Sequence, residues 1–317
     1  MKKIWKLFKQ HVALDFNWKL YGAVAVFLIV FVTINYKVNF ENGYIDLDTG
    51  KPIRILWYFL EMGVAYFGTC LIVFYFNNTS YHFSNPRFWL ISVVALFFLS
   101  INLGWPYTKD LATAITHKNY SLFRWTYGVI DNLINFLVMA LPLFVFARYF
   151  EQERENFGVN KHNIDLKPYW QLLAIVAPLV IIASFETSFK NYYPVYRRYE
   201  VTDEINPTDL PSWLFALGYE TVYLMDFFNV EFLFRGVLIV GVSQVIGKDA
   251  ILPMVSAYCF LHFGKPLGEC VSSIFGGYVL GIVAYYTRNI WGGVMVHMGL
   301  AFMMEAVAFL QRAFNSN

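Results

Sequence analysis

Nine runs of apolar residues, separated by short polar stretches, set the rhythm of this chain. They fall at about 20–34, 55–76, 88–105, 128–150, 169–185, 213–246, 250–263, 270–287 and 291–310. A helix needs about 20 apolar residues to cross a hydrocarbon core of roughly 30 Å. Most of the runs meet that length, so the pattern predicts an all-α, polytopic transmembrane helical bundle with about eight or nine membrane helices. Two runs do not fit simply. The stretch 213–246 is too long for one perpendicular crossing and is expected to tilt, to extend past the bilayer or to break near Gly218. The stretch 250–263 is short, but it can continue through the Lys265-Pro266 turn if that backbone is buried in protein.

Composition strengthens the membrane reading. Of 317 residues, 58% are hydrophobic, 15% charged and 20% aromatic. Soluble domains carry about a quarter charged residues, and aromatic residues concentrate where a bilayer meets water. The net charge of +2 is too small to indicate a nucleic-acid partner. The three cysteines, Cys70, Cys259 and Cys270, lie in or beside apolar runs without C-x-x-C spacing. They read as small core residues, not as a disulfide framework.

The polar stretches organise the chain. Residues 1–19 alternate Lys2, Lys3, Lys6, Lys9 and Lys19 with Ile4, Trp5, Leu7 and Phe8. This is a basic amphipathic segment suited to a cytoplasmic membrane surface. No small-residue cleavage site follows the first apolar run, so that run is expected to stay as a helix. Arg148, Arg154, Lys161 and Lys167 form a second basic stretch, expected on the same side as the N-terminus. The mixed-charge stretch 37–54, with Glu41, Asp46 and Asp48, suits the opposite side. Arg197-Arg198 falls on that opposite side against the charge rule, in company with Glu200, Asp203, Glu204 and Asp209. The division expected is therefore an N-terminal segment 1–19, membrane helices within 20–189, a loop 190–211, and a chemically distinct core 212–317.

Candidate chemistry gathers in that core. Before the loop the spans hold few ionisable residues. After it Glu220, Asp226, Glu231, Arg235, His262, Lys265, Glu269, His297 and Glu305 lie within or beside apolar runs. Glu231 and Arg235 are four apart, hence stacked on one helix face. Inside a membrane span such charges are costly and need a partner, a water cavity or a function. His262 and His297 can converge on Glu231 from later runs. A structural ion pair and two hydrogen-bonded core histidines are the plain alternatives. Gly277 and Gly281 are spaced for close helix packing.

Three segments in this core resemble one family. Val230-Glu231-Phe232-Leu233-Phe234-Arg235-Gly236 is similar to the Glu-Glu-x-x-x-Arg motif of the CPBP family, the CAAX-processing and bacteriocin-processing intramembrane proteases. Tyr258-Cys259-Phe260-Leu261-His262 resembles the family's Phe-x-x-x-His, and His297-Met298-Gly299-Leu300-Ala301 its His-x-x-x-Asn. The resemblance spans about 211–309 in the family's order and spacing. It implies a metal-dependent intramembrane endopeptidase, with Glu231, His262 and His297 binding a divalent metal (zinc) or activating water, and Arg235 orienting Glu231. The implied substrate is a membrane-embedded or membrane-associated peptide or protein, met in the cytoplasmic membrane of a bacterium.

Two positions depart from the family. Its general-base Glu is Val230, and its oxyanion-side Asn is Ala301. Asp226 (one turn before Val230), Glu269 (seven after His262) and Glu305 (four after Ala301) are candidate substitute carboxylates. With one of them, two histidines would make a plausible open zinc site. The alternative function is a catalytically inactive relative that acts as a membrane scaffold or immunity factor. A proton-relaying transporter is a third, without the broken repeats that would support it.

Overall fold

The computed structural model describes all residues except Met1, Lys118, 152–155, 161–163, Asp203 and 316–317. Arg154, Lys161 and Asp203, named above, thus lie outside the described residues. Among the described residues every regular element is helical. A surface helix α1 (Lys2–Asp15) is followed by α2 (Trp18–Val38), α3 (Ile53–Asn77), α4 (Pro86–Gly104) and a short α5 (Thr108–Thr116). Then α6 (Tyr120–Asn135) runs through a π-helical turn into α7 (Leu141–Phe150), and α8 (Lys167–Ala183) and α9 (Thr187–Tyr192) follow. The C-terminal core holds α10 (Ser212–Glu231), α11 (Ser243–Ile246), α12 (Ile251–Phe260), α13 (Leu267–Thr287) and α14 (Trp291–Asn315).

Seven stretches among the described residues are long and apolar enough to cross a membrane. One of them, Ser212–Phe260, is 49 residues long. It divides at Gly247, whose φ of 60° is a conformation that favours glycine. Counting its two parts separately, and adding the 17-residue α8, recovers the nine apolar segments of the sequence pattern. The protein is a multi-pass membrane bundle.

The long stretch does not break near Gly218. Helix α10 passes that residue unbroken; Gly218 instead admits Trp125, whose ring would lie 3.2 Å from an added Cβ. The length is absorbed further on, where α10 widens into a π-helical segment, Phe232–Gly241, before α11. Val242 N–H there donates to Val237 carbonyl at 3.0 Å, five residues back. Such widening is rare and tends to mark functional sites. Every residue of the segment is buried.

Helix ends follow local chemistry. Asn17 and Asn85 cap α2 and α4 by accepting backbone N–H groups, and Pro86 occupies the first turn of α4. Asn39 and Asn78 close α2 and α3 in the left-handed conformation that Asn tolerates. The cross-links then sort the ends into two sets. At the end carrying α1, Lys248 pairs with Asp15, Asn77 and Thr79 bond Asp249, and Asn160 donates to the Arg288 carbonyl. Lys3 lies 4.0 Å from Asp165 there. At the far end Asn35 reaches Phe263, Tyr193 reaches Glu269, and Arg312 reaches Glu200. The basic N-terminus and the described residues Asn160 and Asp165 thus share one end, in line with the charge pattern.

Helix α12 is the inner post, packed between α3 and α13, while α10 packs on α6 and α14. Gly277 and Gly281 make the α12–α13 contact possible: an added Cβ would stand 2.9 Å from Tyr258 Cδ1 and 2.6 Å from Met254 Cε. The three cysteines are free and buried.

Candidate functional site in the membrane core

The centre is built where α10, α12 and α14 meet. Glu231, the last residue of α10, is fully buried, and Arg235 on the following π-helical segment is 1% exposed. Arg235 Nη1 stands 2.8 Å from Glu231 Oε1. Two opposite charges in a dry interior need such a partner, because an uncompensated one is strongly unfavourable. The guanidinium also lies over the Tyr258 ring, 4.3 Å from its centroid.

His297 enters from α14, with Nδ1 3.1 Å from the same Glu231 Oε1. Gly293, one turn earlier on α14, is where the two helices close: a Cβ there would collide with Glu231 Oε2. Tyr258 of α12 closes the other side, its Oη 3.3 Å from His297 Nε2. The partners assign the proton positions of a neutral imidazole. A carboxylate only accepts, so Nδ1–H donates to Glu231; Nε2 is then the acceptor, and the Tyr258 hydroxyl donates to it. The result is one chain, Tyr258 to His297 to Glu231, ending on Arg235. Phe227 and Phe234 wall it, with rings 4.6 Å from His297 and 5.1 Å from Tyr258.

His262 belongs to the neighbourhood without joining that chain. Its ring stands edge-on to Tyr258 at 4.6 Å, and its Nδ1 donates to the Tyr258 carbonyl at 2.8 Å. It follows α12 on a non-helical stretch, 261–266, that α2 holds in place. Asn35 Nδ2 donates to the Phe263 carbonyl at 3.0 Å, and Tyr36 Oη to the Lys265 carbonyl at 2.7 Å. Glu41 abuts Gly264, where an added Cβ would lie 3.2 Å from its Oε1. Burial, with Asp46 adding to it, pushes the Glu41 carboxyl up to about 7. Asn35 and Tyr36 lie outside every motif of the sequence. The signal available was a polar pair closing an otherwise apolar run.

The candidate substitute carboxylates are engaged elsewhere. Asp226 accepts from Asn229 Nδ2 at 2.8 Å. Glu269 pairs with Lys265 at 2.7 Å and accepts from the Tyr193 hydroxyl at 2.8 Å. Burial disfavours the Lys265 charge, yet Glu269 outweighs it and holds the ammonium's pKa above its ordinary value. Glu305 accepts the Val195 N–H at 2.8 Å. Val230 packs against the apolar core and Ala301 is buried. Among the described residues no three His, Cys, Asp or Glu side chains gather as a metal-ligand group. The one imidazole hydrogen-bonded to Glu231 has its second nitrogen taken by Tyr258. So arranged, the side chains do not fit a resident metal.

The chain is an all-α membrane bundle, and the comparisons bear on the C-terminal segment that holds this buried polar centre. Residues 209–303 match the family model of type II CAAX prenyl endopeptidase Rce1-like proteins. The resemblance to the CAAX-processing intramembrane proteases therefore holds for the segment that contains Glu231, Arg235, Tyr258, His262 and His297. No curated protein and no solved structure matches the chain significantly.

Proposed function

We propose that this protein is a CAAX-protease-type membrane protein that binds a membrane-embedded or membrane-associated peptide or protein at its polar centre and does not hydrolyse it. One observation carries the reading: both nitrogens of His297 are used inside the protein, by Glu231 at 3.1 Å and by the Tyr258 hydroxyl at 3.3 Å. A water-activating site needs a base with an available lone pair within reach of the water. Here Glu231 is tied to Arg235 and His297, and the position of the family's general base is Val230. Ala301 has no group to donate to a developing oxyanion. The ion pair is closed off, while the His297 side chain keeps 13% exposure beside Phe227, an edge at which a peptide segment can meet the centre.

The second reading is a hydrolytic enzyme of the same family. It is favoured by Glu231 Oε2, a buried carboxylate oxygen without a hydrogen-bond partner in the protein. The experiment that separates the two uses detergent-purified protein returned to vesicles. Farnesylated and unmodified CAAX peptides are offered, and cleavage, peptide retention and bound zinc are measured. Wild type is expected to retain peptide, release no product and carry no stoichiometric zinc. A variant combining Tyr258→Phe, Val230→Glu and Ala301→Asn frees His297 and restores the two missing groups. It is expected to gain zinc and cleavage. An acid–base group contributes about 10²–10⁴ in rate, and an oxyanion donor about 10²–10³. Zinc-dependent cleavage by wild type, lost in His297→Ala, overturns the binding reading in favour of the second.

A further inference from the structure

At the far end of the bundle, opposite α1, lies a cavity of about 300 Å³ between α9, the turn after it and the last turns of α14. Its walls combine Phe189, Tyr193 and Ala308 with three cationic side chains, Lys190, Arg197 and Arg312. Cations at this end run against the charge distribution that places the lysine-rich segment at the other. Arg197 and Arg198 both stand at this end against the charge rule. The nearby carboxylates already have tasks. Glu200 accepts from Arg312 at 2.8 Å, Glu186 caps α9, and Glu305 holds the Val195 N–H. Lys190 and Arg197 are exposed at the cavity. Phe185 and Phe314 are exposed at the same end, at 66% and 77%, as expected of aromatic residues at a bilayer interface.

We infer that this cavity binds the phosphate headgroup of an anionic phospholipid from the leaflet facing that end. Lys190 and Arg197 offer charge-assisted hydrogen bonds to one phosphate, beside Arg312, which Glu200 already holds. The apolar wall continues where acyl methylenes leave the headgroup. The cavity is large enough for a phosphoglycerol group but not for a whole lipid, so the chains extend along the bundle. This site is separate from the Glu231 centre, and the inference stands whether or not that centre hydrolyses peptides.

The test is native mass spectrometry of delipidated protein titrated with phosphatidylglycerol, phosphatidylcholine, or inorganic phosphate. The wild type is compared with the double variant Lys190→Gln, Arg197→Gln. Equal melting temperatures without lipid establish that both are folded; should the double variant melt lower, Arg197→Gln alone takes its place. Phosphatidylglycerol is expected to saturate at one tight site, and the double variant to bind it roughly 30-fold more weakly, from the attraction of two basic residues to an anionic headgroup. Arg197→Gln alone should bind roughly 5-fold more weakly on the same reasoning. Phosphatidylcholine and inorganic phosphate are expected not to compete. Unchanged phosphatidylglycerol binding in the folded variant overturns the site. Competition by inorganic phosphate at equal concentration overturns the lipid as its source, and equal binding of phosphatidylcholine overturns the need for net negative charge.

Discussion

Arg235 illustrates what a single residue contributes in a dry bundle. Its charge is buried to 1% exposure, and Glu231 beside it to 0%. The pair is a weak source of net stability, since both ions lost their water, but losing one partner leaves the other uncompensated. Arg235→Ala is therefore expected to lower stability by about 3–5 kcal/mol, read as thermal unfolding in detergent or as failure to accumulate in the membrane. If that variant melts like wild type, water reaches Glu231 and the centre is not closed. Tyr258 shows the converse. A hydroxyl absent from the family's Phe-x-x-x-His pattern supplies the proton that occupies His297 Nε2. Glu231, Arg235, His262 and His297 were legible as candidates, because charge and imidazole stand out in apolar runs. For Glu269 the Lys265 partner four residues away was legible, but the engagement of Asp226 and Glu305 was not. The partners Tyr193 and Val195 come from a distant loop, and Asn229, though local, offers no signal of its own.

At the scale of elements, α2 has a task that its apolar sequence hides. Through Asn35 and Tyr36 it satisfies carbonyls of the 261–266 stretch, which has no helical partners for them. Buried backbone polar groups must find partners within the protein. Asn35→Ala leaves the Phe263 carbonyl unsatisfied, at a cost of about 1–3 kcal/mol. Hydrogen exchange in 262–266 is expected to quicken, while the Asn77–Asp249 end stays protected. Exchange unchanged at 262–266 means that α2 does not position His262. The π-helical segment is a second such element. Its residues read as an ordinary apolar run, and it packs against α4 and α13, contacts that no local propensity encodes.

For the whole molecule, the two sets of cross-linked ends fix which loops share a side but not which side is cytoplasmic. By the positive-inside rule the end carrying the lysine-rich segment is expected to face the cytoplasm. Reporter fusions after Lys19 and Lys167 are expected to report the cytoplasm, and fusions after Lys51 and Glu200 the opposite side. Lys19 and Lys167 reporting opposite sides would contradict the cross-links, because Lys3 and Asp165 meet at one end.

Hydrophobic run lengths alone determined the helical class, the number of apolar segments and the core that holds the chemistry. Burying about 20 apolar residues per crossing is a local property of the chain. Spacing on a helix likewise determined that Glu231 and Arg235 meet. Tertiary structure alone decided that the long run passes Gly218 unbroken, with Trp125 packed beside it. It also decided that Tyr258 bonds His297 and that the spare carboxylates turn away. Those outcomes depend on how helices far apart in sequence approach one another, on Gly277 and Gly293 admitting Tyr258 and Glu231. No periodicity along a single helix carries that information.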